Sequence, residues 1–361
     1  MLNLFFPIPA TKPFYYLLIL SIAYPKEGSL IYGVNVVWGI SGSSWGADFR
    51  FRVPTLISYM KAGGVTCTRL GISWADVERV KGERDWAYTD RFVELLFKNG
   101  FEIICCFCTT PEWASGLSKD EKGLFHKRGL SNLIGVVAPR EEYYDILEDF
   151  AEETARRYKG KIKYYEFWNE PDGMGMPFIE KDEKGKPIDI RFGGDPRVYT
   201  ELLKRVYKGL KRGNPNCVVS LGGLESKTSF LKGIYDNGGK EYFDAVAIHP
   251  YSEEGIRTNW IDEIRELMVK MGDEGKPIWI TEWGWATQDW ERQAKLLRKG
   301  FAEIMKRPYI KVATFHTLND WRGNEADPNS LIPMGLLTYD LRPKPAYWEF
   351  KRTAHGWQDA L

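Results

Sequence analysis

Short, almost continuously apolar runs alternate along this chain with longer stretches whose apolar residues recur every three or four positions. The short runs fall at 30–39, 65–73, 101–109, 162–169, 216–222, 244–249, 278–283 and 311–318. A strand covered on both faces has no polar face to show, so each run reads as a strand of a buried parallel sheet. The stretches between them carry the helical period, as in Val93-Glu94-Leu95-Leu96-Phe97, Tyr144-Asp145-Ile146-Leu147 and Ala294-Lys295-Leu296-Leu297. Gly63-Gly64, Asn99-Gly100, Asn214-Pro215 and Gly275-Lys276-Pro277 punctuate the joins. A last helix is expected from about Pro343–Ala346 to near Gly356.

Eight strand–helix units in one run predict the α/β class and a single (β/α)8 TIM barrel, because eight strands close that ring. An open doubly wound sheet competes, but no Gly-rich turn follows the first strand to support it. Residues 28–361 are assigned to the barrel and 1–27 to an N-terminal segment. That segment holds an apolar run, Phe14 to Tyr24, preceded by Lys12 and ending near Ser21-Ile22-Ala23. It reads either as a secretory signal peptide, which favours a secreted, extracellular protein, or as a cap over the barrel floor, which would suit a cytoplasmic one. The run is too short to cross a bilayer as a helix, so no stable membrane association is expected.

Composition narrows the function classes. A net charge of +1 over 361 residues gives no electrostatic case for nucleic acid as a partner. Five cysteines are an odd number, which excludes a complete disulfide framework. Cys105, Cys106 and Cys108 share one apolar strand, and no second Cys/His group has ligand spacing. They therefore read as buried thiols rather than metal ligands. No metal and no other cofactor is expected.

The candidate chemistry lies at the strand ends. In this fold active sites are built at the C-terminal ends of the strands. Arg69, Asn169, Glu170, His249, Tyr251, Glu282, His316 and Trp321 all fall at or near such ends. Glu170 closes the fourth run, in Tyr165-Glu166-Phe167-Trp168-Asn169-Glu170-Pro171, and Glu282 the seventh, in Ile278-Trp279-Ile280-Thr281-Glu282-Trp283. A carboxylate directly after a buried apolar run is costly unless it has partners or a task. Either acid alone could be a surface residue beside a turn. Two that converge are what acid–base and nucleophilic attack on a glycosidic bond require.

On these residues the chain resembles the clan A glycoside hydrolases, and within them families 5 and 39, from about Ile31 to Lys351. Glu170, after Asn169, matches the acid/base position of that clan, and Glu282 its nucleophile. His249 and Tyr251 match the His-x-Tyr pattern of strand six, and Arg69 the strand-two arginine of family 5. Leu221-Gly222-Gly223 and Ala247-Ile248-His249-Pro250-Tyr251 are similar to family 39. His316 stands where the clan often places a tryptophan beneath the sugar. The resemblance implies a retaining hydrolase of β-linked plant-type glycosides, with an oligo- or polysaccharide substrate. β-Xylosidase or β-glucosidase activity competes with endo-β-1,4-glucanase, xylanase or mannanase activity. A transglycosylase using the same covalent intermediate is an alternative. So is a non-catalytic carbohydrate-binding barrel, although such a protein could dispense with one of the two acids.

Two glutamates can divide this work only if their surroundings favour different protonation states. Arg69 is expected to hold Glu282 charged, with Tyr251 orienting it by a hydrogen bond. Asn169 is expected to bind the sugar 2-hydroxyl. It neighbours Glu170, so both can face the sugar only if the strand twists or bulges there. Trp38, Trp74, Trp113, Trp168, Trp283, Trp285 and Trp321 also cluster at strand ends. Trp113 and Trp321, in loops, are the expected sugar platforms, whereas Trp168 and Trp279 read as core. His126 and His355 lie away from the strand ends and read as incidental. The loop after the fourth strand, around Phe178-Ile179-Glu180 and Ile188-Asp189-Ile190, suggests a hairpin lid that favours short substrates or chain ends.

Overall fold

The apolar runs pair as parallel strands because both of their faces can be buried at once, one against helices and one inside a closed ring. The computed structural model describes residues 30–35, 45–129, 131–173, 194–322 and 328–356. The N-terminal segment, Trp38 and the expected hairpin lid lie outside the described residues. The barrel strands are β1 (Ile31–Asn35), β2 (Cys67–Ser73), β3 (Glu102–Cys108), β4 (Tyr164–Asn169), β5 (Val218–Gly223), β6 (Val246–Ile248), β7 (Ile278–Ile280) and β8 (Ile310–His316). Each falls on one of the eight predicted runs. β1 pairs with both β2 and β8, and the order continues β2-β3-β4-β5 on one side and β8-β7-β6 on the other. Bridges Ser220–Ala245 and Leu224–Ile248 join β5 to β6 and close the ring.

Among the described residues one main helix follows each strand: α1 (Trp45–Ala62), α2 (Ala87–Lys98), α3 (Tyr144–Arg157), α4 (Pro196–Gly213), α5 (Thr228–Asp236), α6 (Thr258–Lys270), α7 (Trp290–Met305) and α8 (Pro345–Ala354), with shorter helices at Trp74–Val77 and Lys119–Lys127 in the connections after β2 and β3. Their starts follow local chemistry. Asp195 accepts from the Arg197 amide ahead of α4, with Pro196 at the first turn, and Asp289 accepts from the Arg292 amide ahead of α7. α4 buries Leu202, Leu203, Val206 and Leu210, one stripe at helical spacing.

Strand alternation sorts the two faces of the ring. Ile103, Cys105, Phe107, Tyr165 and Phe167 join the core between strands and helices. Cys67, Ile104, Ala245, Ala247, Trp279 and Val312 form a separate apolar plug inside the barrel, with Ile31, Tyr164 and Val218 against it. This plug is the barrel floor, and it leaves the C-terminal strand ends for polar side chains. Trp279 is buried there and Trp168 in the outer core, as expected. Trp74, Trp283 and Trp285 are buried as well. Trp74 packs on Phe150 of α3, and Trp283 meets Phe301 of α7 with ring centroids 4.8 Å apart. These strand-end aromatics belong to the strand–helix layer, so the expectation of an aromatic-lined mouth is narrowed.

Candidate active site

The strand registers bring polar residues to one level. Asn35 at the end of β1 pairs with Arg69 on β2 and with His316 on β8. Arg69 is the hub. Its Nη1 donates to Glu282 Oε1 at 2.6 Å, and its Nη2 to Asn169 Oδ1 at 2.8 Å. A two-point fork, Nε to Oε2 at 3.2 Å and Nη2 to Oε1 at 2.6 Å, holds Glu166. Glu166 is fully buried and also accepts from the Gly223 amide at 3.1 Å. A buried guanidinium with carboxylates on two sides is paired well enough to offset its desolvation.

Both glutamates reach the cleft because regular alternation fails beside each. In β4, Phe167 pairs with Leu221 and Asn169 with Gly223, while Trp168 and Glu170 take left-handed φ values of 76° and 48°. Such backbone costs about 1–3 kcal/mol at a non-glycine residue and persists only where its surroundings impose it. The irregularity answers the objection that neighbours on a strand face opposite ways: Asn169 bonds Arg69 and Glu170 bonds His249 from the same side. Two glycines of β5 make room. A Cβ on Gly222 would lie 2.5 Å from the Phe167 carbonyl oxygen and 2.7 Å from that of Trp168, and one on Gly223 would lie 2.0 Å from His249 Nε2. In β7 the regular strand stops at Ile280, so Thr281 and Glu282 both meet the cluster while Trp283 turns to the helices.

His249, completely buried, links the two acids. Its Nδ1 lies 3.0 Å from Glu170 Oε1 and 3.8 Å from Glu282 Oε2, and its Nε2 lies 3.1 Å from Thr281 Oγ1. Tyr251 donates to Glu282 Oε2 at 2.9 Å. His316 Nδ1 sits 3.9 Å from the same oxygen and 3.4 Å from Asn35 Nδ2. Glu170 and Glu282 keep 15% and 13% of their side-chain surface exposed, so a ligand entering from the strand ends can touch them.

The electrostatics divide the groups. Burial pushes the Glu282 carboxyl up, but His249, His316, Arg69 and the Tyr251 hydrogen bond together hold it far below the usual carboxylate range. Burial pulls His249 down, yet the carboxylates of Glu282 and Glu170 leave it above an ordinary histidine. His316, dominated by burial, is lowered. Tyr251 is raised, first by burial and then by Glu282, and stays a donor.

Oxygen and nitrogen atoms of Glu170, His249 and Glu282 lie within 4.8 Å of one another, close enough to hold a metal ion. Sequence spacing shows no such group, because its members come from three strands. All three are engaged in hydrogen bonds with one another or with Arg69, Tyr251 and Thr281.

Seven of the expected site residues thus form one connected network: Arg69, Asn169, Glu170, His249, Tyr251, Glu282 and His316. Trp113 and Trp321 stand outside it. The Trp113 indole donates to the Glu78 carbonyl at 2.8 Å, and its ring packs edge-on against Trp74 and Tyr143. Those contacts are those of a packed ring rather than of an open platform. Trp321 opens a two-residue ladder with Ile332 after β8, and among the described residues its buried Nε1 has no hydrogen-bond partner. His126 bonds Ser131 and Glu112 near the surface, and His355 approaches the Ala62 carbonyl. Sequence reasoning missed Glu166, Asn35 and Thr281. Glu166 carried a signal, a charge in the middle of an apolar strand, and the rule that singled out Glu170 applies to it with more force.

A family model described as Cellulase (glycosyl hydrolase family 5) matches residues 30–320. The chain belongs to glycoside hydrolase family 5. A search of curated proteins found no match. Solved structures share the fold of this family 5 chain at low identity. A family 39 glycoside hydrolase from Bacteroides cellulosilyticus WH2 is 18% identical with a TM-score of 0.66; the alignment covers 92% of this chain and 65% of that one. A GH5_18 variant from Streptomyces cattleya, in complex with Manβ1-4GlcNAc, is 15% identical with a TM-score of 0.66, over 92% and 82% of the two chains. Xylanase 10B from Thermotoga petrophila RKU-1, in complex with xylobiose, is 14% identical with a TM-score of 0.60, over 92% and 95%. The resemblance to clan A barrels therefore extends from motifs to the whole ring. Among the described residues no helix is long and apolar enough to cross a membrane.

Proposed function

We propose that this family 5 chain is a retaining β-glycosidase working by double displacement, with Glu282 as nucleophile and Glu170 as acid/base. One observation carries the reading: a carboxylate oxygen of Glu170 and one of Glu282 lie within 4.8 Å of each other at the barrel mouth, too close for the wider spacing of an inverting pair. Retaining enzymes keep their carboxyl groups about 5–5.5 Å apart, whereas inverting ones leave about 6.5–9.5 Å for a water molecule.

Glu282, held anionic by Arg69, the two histidines and Tyr251, attacks the anomeric carbon. Glu170 gives its proton to the leaving oxygen as that bond breaks. Glycosylation removes the charge from Glu282, and Glu170, now ionised, takes a proton from the incoming water, which releases the sugar with its original anomeric configuration. Asn169, oriented by Arg69, offers its amide hydrogens to the 2-hydroxyl. Trp321 is the aromatic surface we assign to a neighbouring sugar.

The substrate class is β-1,4-linked glucan, xylan or mannan, or their oligomers. A xylobiose complex and a Manβ1-4GlcNAc complex among the structural neighbours support it. Aryl β-glycosides assayed alongside the three polymers, with NMR of the first anomer released, test the proposal. A β-anomer released first is expected. An α-anomer released first would overturn the retaining mechanism even with hydrolysis established.

A further inference from the structure

Two residues beyond Glu170 lies a carboxylate that the chemistry above does not use. Asp172 is fully buried. Its Oδ2 accepts from three consecutive backbone amides of the loop after β5: Glu225 at 3.2 Å, Ser226 at 3.0 Å and Lys227 at 3.0 Å. Its Oδ1 shares the Glu225 amide at 3.2 Å. Successive amides aimed at one oxygen form an anion-binding concavity, here filled by the protein's own side chain.

The geometry around Glu170 shows what this clamp does. Glu170 sits in left-handed backbone, its amide donating to the Gly223 carbonyl at 3.1 Å and its carbonyl accepting from the Gly173 amide at 3.2 Å. The chain turns within Glu170–Gly173, and Asp172 pins the far side of that turn to the loop after β5. The near side is pinned to β5 itself, through the Gly223 carbonyl. The conformation that points Glu170 at the sugar is thus fixed from both ends by one neighbouring strand and its loop.

We propose that Asp172 is a positioning residue for general acid/base catalysis, holding Glu170 in its left-handed conformation by binding the amides of Glu225, Ser226 and Lys227. The inference rests on the reading of Glu170 as acid/base. A displacement of about 1 Å can cost on the order of 100-fold in rate. The loss should appear only in steps that need proton transfer.

The test compares wild type, Asp172→Ala, Asp172→Asn and Glu170→Ala on phenyl and 2,4-dinitrophenyl β-glycosides of whichever sugar is cleaved. Dinitrophenolate leaves without protonation and phenolate does not. For Asp172→Ala, kcat/KM on the phenyl glycoside should fall about 100-fold, while the dinitrophenyl value stays near wild type. Added azide, which attacks the glycosyl-enzyme without base assistance, should raise kcat on the activated substrate and yield the β-glycosyl azide. Asp172→Asn keeps one acceptor oxygen for the amides and should recover part of the loss. An equal drop on both substrates for Asp172→Ala and Asp172→Asn, beside a selective drop for Glu170→Ala, would overturn the positioning role alone. Should Glu170→Ala itself lack leaving-group dependence, the acid/base assignment fails and the positioning role falls with it. Thermal melts of each variant separate either result from unfolding.

Discussion

The floor and the mouth of this barrel are built on the same strands by opposite rules. On the floor, Cys67, Ile104, Ala245, Ala247, Trp279 and Val312 exclude water and carry no charge. Two residues further along the same inward face, Cys67 gives way to Arg69, Tyr164 to Glu166 and Trp279 to Thr281. One pleat repeat, about 7 Å, separates a plug whose burial is favourable from a cluster whose burial is tolerated only because each charge has a partner. Stability and chemistry thus reside at opposite ends of the same strands. The floor contributes free energy and can do no chemistry; the mouth concentrates field and contributes little net stability.

Substitutions can break that contrast. The largest effect belongs to the mouth: Glu282→Ala should abolish measurable turnover, and Glu170→Ala should cost about 10²–10⁴-fold on unactivated substrates. In calorimetry Glu282→Ala should melt below wild type, because Arg69 and Tyr251 lose a partner, and Glu170→Ala closer to it. On the floor, Trp279→Ala should cost about 3–5 kcal/mol of stability in denaturant unfolding. Its kcat, measured well below the new Tm, should be unchanged; a parallel fall in kcat would mean that the two ends are mechanically coupled. Tyr251→Phe keeps the ring and removes a hydrogen bond to a charged group, worth about 1.5–3 kcal/mol. A fall of roughly 10- to 150-fold in kcat, with little change in Tm, is expected.

The smallest effect is on pH dependence. His249 is raised in the folded state, where the carboxylates outweigh burial. Its bound proton therefore contributes stability that is complete below the unperturbed value of 6.5 and is lost as pH rises through the folded value. Tm should decline as pH rises above 6.5 in wild type, and that inflection should be missing in His249→Asn. Glu282, depressed, acts in the other direction: its contribution holds above its ordinary value of 4.5 and is lost only in strong acid.

How far the sequence reveals this molecule depends on whether period or exception is in control. All eight strands were legible, because burial on both faces leaves an apolar run that nothing else produces. The positions of both acids were legible from their place after such runs. Glu166 was not read, although it is the most deeply buried of the three glutamates in the cluster, because a single charge inside a strand looks like noise beside a motif. The way Asn169 and Glu170 share one side was not legible either. It comes from left-handed backbone at Trp168 and Glu170, which no alternation pattern encodes. The surroundings of the tryptophans were not legible: Trp74, Trp113 and Trp283 all stand near strand ends in sequence, and the structure packs each against neighbouring aromatics.

The missing side chains of Gly222 and Gly223 reach further than their size suggests. Hydrogen atoms at these two positions let adjacent backbones draw together and let an imidazole settle into the wall. A methyl at 223 would strike His249, which touches one acid and neighbours the other. The gap between Glu170 and Glu282 is therefore set from behind, by atoms outside the cleft.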